Sequence, residues 1–486
     1  MPLPLVTMFA AAMAPCTTAL CQADTLEPYF DKLAHATNHT EGRKPVHILQ
    51  IGDSHTAGDN ITGGWRDLLQ AQYGSGGRGV SAAGRPYGGY VTYGATSSMS
   101  PGWTVKSIFG GASVPPRPSI GLSGFSISTA QEGATVGLTA DPGEAFNRFT
   151  VCAMTQPGAG SLSIQLGLTS EEFNLNSFTT RSECRTVAAD QPQLSVQITV
   201  RGGPVTITSW GTFRDNGGVV VSNVGVSGSQ FIHQQRADES VISEELRSYK
   251  PDLVVIAFGT NEGFAPRVEA GEYEIALRSQ IQRIRRLVRN VPILLLGAPD
   301  ANTRNVALAN NAVGGMIDCN RQVSAHPQPG AQAQPPAPAS RPNRMQSIDD
   351  VMPSLRTQNS TKPSGYAPGT AAALDAAAAA YTPPAPAMAS PSPAPVMPAP
   401  ALRPLFVPPG LAVIRDVQRR VAAELNIAFW DWQARMGGAC SAAKMVFGSP
   451  PLMRGDFVHY NRAGGWEIAR KLQADLAAAA ASTDGR

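Results

Sequence analysis

Two hydrophobic patterns occur along the chain. The first is a set of short, continuous apolar runs, each closed by glycine or a polar residue, of the kind seen in strands buried on both faces of a parallel sheet. The runs lie at residues 46–51, 219–223, 253–258, 293–296 and 427–430. Segments with apolar residues at helical spacing lie between or after them, at residues 25–36, 61–73, 238–249, 272–289 and 411–425 and in a terminal helix ending near 480. This order predicts an α/β fold with a flavodoxin-like parallel sheet.

The second pattern covers residues 101–216, where apolar and polar positions alternate with period 2 and Gly, Pro and Asn separate the runs. Such alternation indicates antiparallel strands, and their number is typical of a β-sandwich or jelly roll. Because this segment interrupts the α/β pattern, we predict an inserted β domain. Its aromatic residues are candidates for sugar-stacking platforms or, more simply, for core: Trp103, Phe173, Phe178 and Trp210.

Residues 320–409 differ in composition from both of these regions and are rich in Pro, Ala, Ser and Gln. This composition cannot bury enough apolar surface to offset the entropy of ordering, so we predict a disordered insertion. The α/β domain is then made of residues 24–100, 217–319 and 410–486.

The first 23 residues contain no charged side chain and end in Cys-Gln-Ala23, which predicts a secretory signal cleaved after Ala23. The alternative is a ragged N-terminus. A signal implies a periplasmic or secreted protein. No other stretch approaches 18 uninterrupted apolar residues, so no membrane span is expected.

Cysteine usage agrees with export. Beyond the predicted signal the cysteines are even in number and form no Cys-x-x-Cys pair, which favours disulfides over a metal site. The natural pairs are Cys152–Cys184 within the β segment and Cys319–Cys440 across the long insertion. Free buried thiols are the alternative.

The charge balance limits the partners. A formal charge of +3 on 486 residues, without a dense Lys/Arg block, gives no reason to expect nucleic acid. No metal-ligand cluster or cofactor motif is visible, and we expect a monomer without a cofactor.

Three polar motifs follow predicted strands, and a fourth precedes the terminal helix. Ser54 comes directly after the first strand, in Gly-Asp-Ser-His, and Gly228 and Asn261 follow two later strands. A serine hydroxyl needs a base within hydrogen-bond reach. Of the seven histidines, His459 alone has a carboxylate, Asp456, three residues before it in a loop preceding a helix. This spacing predicts a Ser–His–Asp triad.

Serine, glycine, asparagine and Asp-x-x-His in this order resemble the SGNH (GDSL-type) hydrolases. The resemblance implies that Ser54 is the nucleophile, His459 the base and Asp456 its partner. It also implies an oxyanion hole formed by the backbone N–H groups of Ser54 and Gly228 and the side-chain amide of Asn261.

Within that group, the sequence from Gly52 to Asp59, the β insertion after it and Gly-Ala-Pro-Asp300 resemble bacterial peptidoglycan O-acetylesterases with a carbohydrate-binding-module-like insert. The implied reaction removes acetyl from the C6 hydroxyl of N-acetylmuramic acid, so the partner is an acetylated polysaccharide. Thr56 departs from the family pattern, which has a bulky residue there. Alternatives are a deacetylase for another exported polysaccharide, an O-acetyltransferase with the same triad, or a non-catalytic wall-binding protein.

The other histidines are given lesser roles. His55 adjoins Ser54 but lacks a partner nearby in sequence, so we predict a structural or substrate-contact role. His47 lies in a buried strand and is expected to be a satisfied core residue, and His233 is a candidate for lining the cleft.

Overall fold

The computed structural model describes residues 18–36, 42–109, 119–311, 317–320 and 404–483, which belong to one compact unit. The strands in these residues are β1 (Leu20–Cys21), β2 (Val46–Gly52), β3 (Gly79–Ser81), β4 (Ala95–Met99), β5 (Thr104–Ser107), β6 (Phe125–Thr129), β7 (Thr135–Ala140), β8 (Phe146–Thr155), β9 (Ser161–Leu166), β10 (Thr169–Asn174), β11 (Arg181–Gln193), β12 (Ser195–Arg201), β13 (Val205–Phe213), β14 (Val219–Gly225), β15 (Leu253–Ala257), β16 (Ile293–Leu296) and β17 (Ala428–Trp430).

The helices follow the predicted helical spacing closely. They are α1 (Glu27–Ala34), α2 (Ser54–Ala57), α3 (Asn60–Tyr73), α4 (Glu239–Tyr249), α5 (Thr260–Gly263), α6 (Ala270–Leu287), α7 (Pro409–Leu425), α8 (Trp432–Met436), α9 (Ser441–Phe447) and α10 (Arg462–Thr483). Short 3₁₀ helices lie at Ala23–Leu26, Pro142–Glu144, Phe231–Arg236 and Val306–Asn311. No helix in the described part of the chain is both long and apolar enough to cross a membrane.

A mainly parallel sheet forms the centre of the α/β part. Its strand order is β1-β17-β16-β15-β2-β14, and every pair from β17 to β14 is parallel. The parallel strands, numbered along the chain, therefore stand in the order 2-1-3-4-5, which is the flavodoxin order. All residues of β2, β14, β15, β16 and β17 are buried, as their continuous apolar runs predict.

Strand β1 adds an antiparallel edge to this sheet. It pairs with β17, and the Asp431 N–H donates to the Ala19 carbonyl at 2.7 Å. Cys21 is buried and disulfide-bonded. A cut after Ala23 would remove this strand, so the predicted boundary after residue 23 disagrees with the folded structure. Residues 1–17 lie outside the described part, and export itself stays a prediction.

The segment between α3 and β14 forms antiparallel sheets. One has the order β10-β9-β12-β7-β4 and the other β11-β8-β13-β6-β5, with β3 pairing to β13. Apolar side chains from both sheets, such as Ile164 and Ile207, belong to one core. Because β4 begins at Ala95, the predicted start of the insert at residue 101 is wrong. The jelly-roll topology stays a prediction.

The predicted disordered insertion falls mostly on residues 321–403, outside the described part. The described chain resumes at residue 404, before the predicted position 410. Leu405 and Phe406 are buried, and the Leu405 carbonyl accepts from the Cys319 N–H at 2.7 Å.

Both predicted disulfides are present, and the free-thiol alternative is wrong. Cys152–Cys184 joins the neighbouring strands β8 and β11. Cys319–Cys440 links residues separated by 121 positions, with the long insertion between them. A cross-link over so long a loop removes much conformational freedom from the unfolded chain.

A buried charge cluster joins the insert to the α/β part. Asp59 Oδ2 accepts from Arg66 Nη2 and Arg78 Nη2, both at 3.1 Å, and the cluster is closed by Glu144 of the insert, 3.5 Å from Arg66. Burial alone would raise the pKa of Asp59, but the two guanidinium groups lower it. All four side chains are buried, so each charge depends on its partners rather than on water.

Asp59→Asn is therefore expected to lower the free energy of unfolding by about 3 kcal/mol or more, because two buried arginines lose their shared carboxylate. Urea denaturation at neutral pH measures this change. Asp416→Asn is the matched control, since Asp416 forms an ion pair with its side chain 77% exposed, and its effect should stay within about 0.5 kcal/mol. Equal losses in the two variants would contradict the role of the cluster.

Candidate active site

Ser54, Gly228 and Asn261 lie at the topological switch point of the sheet, where strand β2 stands between β14 and β15. Ser54 opens α2 directly after β2, Asn261 lies in α5 after β15, and Gly228 follows β14. These strands are neighbours, with β2 in the middle. Ser54, Asn261 and Gly228 are partly exposed, although most residues around them are buried. A crevice at the carboxyl ends of such strands is where open α/β sheets bind ligands.

Small residues let α2 approach the sheet. A Cβ at Gly52 would overlap with the Thr56 hydroxyl and the Ala257 carbonyl, and a Cβ at Gly225 would overlap with the backbone of Ala57. Thr56 is fully buried, and its Oγ1 accepts from the Gln50 amide at 3.0 Å. Thr56, which stands where the family pattern has a bulky residue, therefore lies beneath the nucleophile turn and contacts the sheet through Gln50.

Ser54, His459 and Asp456 form a hydrogen-bonded chain. Ser54 Oγ lies 2.8 Å from His459 Nε2, and His459 Nδ1 lies 2.9 Å from Asp456 Oδ2. With the ring proton on Nδ1 donated to the carboxylate, Nε2 is left to accept the proton of Ser54. The structure thus brings together the three residues that the sequence proposed as a triad.

The Asp456 carboxylate is fixed in its ionised form. Its Oδ1 accepts from the backbone N–H groups of Val458 and His459, both at 2.9 Å. Burial works to raise the pKa of Asp456, but the hydrogen bonds from the His459 side chain and from these two N–H groups outweigh it and lower the pKa to about 2. Asp456 is therefore negatively charged throughout the neutral range.

The loops that carry the proposed oxyanion donors are bonded to each other. Asn261 Nδ2 donates to the Ser229 carbonyl at 2.9 Å, and Gln230 Nε2 donates to the Asn261 carbonyl at 3.4 Å. Since an amide NH₂ has two hydrogens, one remains available for a substrate. Gly228 has φ 75°, a backbone conformation that favours glycine. The oxyanion roles of Gly228 and Asn261 stay predictions.

Glu262 is a residue of this region that the sequence reasoning missed. Its side chain is buried, and Oε1 accepts from the Phe231 N–H at 2.6 Å. Its Oε2 is buried without a hydrogen-bond partner in the described residues. Burial raises the pKa of Glu262 to about 7. A glutamate after Gly-Thr-Asn gives no sequence signal for such burial.

The histidines outside the triad differ from each other. His47 is a satisfied core residue, as predicted: Nδ1 meets the Tyr249 carbonyl at 2.9 Å and Nε2 meets Ser222 Oγ at 2.8 Å. Burial lowers the pKa of His47 to about 4. His233 lies in the 3₁₀ helix Phe231–Arg236 after Gly228, where its Nδ1 accepts from the Gln230 N–H at 2.9 Å.

His55 has the partner that the sequence reasoning failed to find. Its Nδ1 lies 3.3 Å from Asp53 Oδ1, only two residues away, and its Nε2 lies 3.0 Å from the Val458 carbonyl. The prediction that His55 has no partner close to it in the sequence is therefore wrong.

The aromatic candidates of the insert are mostly core. Trp103, Phe173 and Trp210 are buried, and only Phe178 among the four is fully exposed. Sugar stacking therefore remains open for Phe178 alone. In the part of the chain that is described, no cluster of three or more His, Cys, Asp or Glu side chains is arranged to hold a metal ion.

Glu262→Gln tests the burial of this carboxyl. With a folded pKa of about 7 and an unfolded value near 4.3, ionisation of Glu262 costs stability as pH rises from about 4 to 7. Glutamine cannot ionise and still accepts from Phe231. At pH 8 the free energy of unfolding of the variant, measured by urea denaturation, should therefore exceed that of the wild type by about 1–3 kcal/mol. Near pH 4.5 the two free energies of unfolding should be similar. The exposed Glu272→Gln is the control, and a pH-independent difference would contradict the assignment.

No protein-family model matches this chain, and no curated protein matches its sequence. A solved structure of a peptidoglycan O-acetylesterase matches with a TM-score of 0.64 and 20% identity, covering 96% of this chain and 100% of that one. A putative GDSL-like lipase from Parabacteroides merdae (14% identity, 53% and 72% covered) and an acetyl xylan esterase (12% identity, 53% and 80% covered) match with TM-scores of 0.25. Over nearly its whole length, this chain has the fold of that peptidoglycan O-acetylesterase.

Proposed function

We propose that this protein is a serine esterase that removes O-acetyl groups from a polysaccharide through an acetyl-enzyme on Ser54. The observation that carries the proposal is the hydrogen-bonded chain from Ser54 through His459 to Asp456 at the crevice of the parallel sheet. A partly exposed serine beside a histidine that is itself held by a carboxylate is the arrangement that activates a hydroxyl for acyl transfer.

In the first half-reaction, Ser54 Oγ attacks the acetyl carbonyl carbon while His459 Nε2 takes the hydroxyl proton. Asp456 stabilises the imidazolium that results. The negative charge on the carbonyl oxygen is held by the backbone N–H groups of Ser54 and Gly228 and by the amide of Asn261. Collapse of this intermediate breaks the ester bond, and His459 donates its proton to the departing sugar oxygen.

In the second half-reaction, water replaces the sugar. His459 takes a proton from the water as its oxygen attacks the acetyl carbon, and the same oxyanion donors hold the new tetrahedral intermediate. Collapse releases acetate and returns the proton to Ser54. If a second sugar hydroxyl attacks in place of water, the same residues carry out O-acetyl transfer.

For the substrate we propose peptidoglycan, at the C6 O-acetyl of N-acetylmuramic acid, in a periplasmic or secreted setting. Support comes from the fold shared over 96% of this chain with a peptidoglycan O-acetylesterase. The disulfides Cys152–Cys184 and Cys319–Cys440 fit an oxidising compartment. An inserted β domain beside the crevice offers a second surface for a polymer chain.

Acetate release tests this proposal. The wild type should release acetate faster from O-acetylated peptidoglycan than from acetylated xylan. Ser54→Ala should lower kcat at least about 10⁴-fold because the nucleophile is lost. Asn261→Ala should lower it about 10²- to 10³-fold because one oxyanion donor is lost. Ser170→Ala, an exposed serine of the insert, is the matched control and should leave the rate unchanged.

The possible outcomes separate the alternatives. Faster release from xylan would refute peptidoglycan as the preferred substrate while leaving the esterase in place. Transfer to chitooligosaccharide in excess over acetate release would identify a transferase. Unchanged activity in Ser54→Ala would refute the mechanism.

A further inference from the structure

His55 stands between the nucleophile and the loop of the base. It follows Ser54 in α2, and its ring is buried. One ring nitrogen faces Asp53 Oδ1 at 3.3 Å and the other faces the Val458 carbonyl at 3.0 Å. Val458 directly precedes His459. The His55 ring therefore links a residue next to the nucleophile Ser54 with a residue next to the proposed base His459.

Both partners of the His55 ring are acceptors. A carboxylate and a carbonyl oxygen have no hydrogen to donate, and a neutral imidazole has only one N–H. Both contacts are hydrogen bonds only when the ring carries a proton on each nitrogen. Water cannot substitute readily, because the side chains of His55 and Asp53 are 3% and 2% exposed. The geometry therefore favours the imidazolium form.

The electrostatic surroundings agree with this form. Burial on its own would lower the pKa of His55, but the hydrogen bond and charge of Asp53, with smaller contributions from the Val458 carbonyl and Asp456, raise it above the ordinary value. The other rings packed on His55 are Trp432 at 5.3 Å, His459 at 5.5 Å and Tyr460 at 5.8 Å between centroids. Asp53 and Asp456 are the acidic groups that face it.

The loop that carries His459 is held in place by hydrogen bonds to its backbone carbonyl groups. The Phe457 carbonyl accepts from the Asn302 N–H at 3.0 Å, and the Tyr460 carbonyl accepts from the Asn60 amide at 3.1 Å. The carbonyl of His459 itself accepts from the Arg454 N–H at 2.8 Å within the loop. The Val458 carbonyl is the one held by a residue adjacent to Ser54.

We propose that His55 is a positioning residue which, as an imidazolium paired with Asp53, binds the Val458 carbonyl and thereby sets the separation of His459 from Ser54. The inference rests on the proposed function, because it concerns the same Ser54–His459 pair. Deprotonation of Nε2 removes the donor to Val458, so turnover falls when pH rises above the pKa of His55.

Three variants and one spectroscopic measurement test the proposal. His55→Ala should lower kcat about 10- to 100-fold, the range expected for a misplaced catalytic group, with KM changed less than about 2-fold. His55→Gln keeps an amide donor for Val458 at every pH, so it should recover most of kcat and lose the alkaline fall of the wild type. His35→Ala, an exposed histidine after α1, is the control. Ser54→Ala supplies the background rate of ester hydrolysis.

Nitrogen-15 NMR of the wild type labelled at histidine gives the independent readout, since it does not depend on a variant folding. The signals lost in His55→Gln identify this ring, and both of its nitrogens should be protonated at pH 7. A ring with one protonated nitrogen at pH 7, or an unchanged kcat in a folded His55→Ala, would overturn the proposal. Either result with an inactive Ser54→Ala leaves the esterase intact, whereas an active Ser54→Ala refutes the esterase itself.

Discussion

The contact between Ser54 Oγ and His459 Nε2 joins residues 405 positions apart, and the proposed chemistry depends on it. Long separation makes such a contact costly in chain entropy, so it must be supported by other elements. On one side, α2 is seated on the sheet because Gly52 and Gly225 allow close approach. On the other side, Asn302 and Asn60 hold the loop of the base by its carbonyls. Helix α2 and the loop that carries His459 are thus each held by contacts with other elements, and the hydrogen bond between Ser54 and His459 joins them.

The inserted β segment is tied to the same region by charge as well as by apolar packing. The cluster of Asp59, Arg66, Arg78 and Glu144 spans α3, the connection to the insert and the insert itself. Arg78 also donates to the Asn223 side chain, whose amide donates to the Thr56 carbonyl at 3.1 Å. The nucleophile turn, the strand before Gly228 and the insert are thus linked by buried polar contacts, which are electrostatically stronger in the protein interior than in water.

Much of this could be predicted from sequence, because continuous apolar runs and helical spacing are local signals. The parallel strands and both disulfide pairs were predicted correctly. The structure brings Ser54, His459 and Asp456 together, and their catalytic roles stay predictions. Strand β1 was not, since two residues at a sheet edge carry no periodicity. Neither was the start of the insert at Ala95, where a short strand precedes the strongly alternating region. The burial of Glu262 was missed because it depends on a partner in another segment, Phe231. For His55 a structural or substrate-contact role was predicted, but its contacts with Asp53 and with the Val458 carbonyl were not.

The central claim is that His459 activates Ser54 as the nucleophile, and covalent labelling tests it most directly. The purified protein is treated with diethyl 4-nitrophenyl phosphate, and the adduct is located by peptide mass spectrometry in the wild type and in His459→Ala. A single diethylphosphoryl group on Ser54, formed far more slowly in the variant, is the result that the account predicts. Modification of a different serine, or of Ser54 at the same rate without His459, would contradict it.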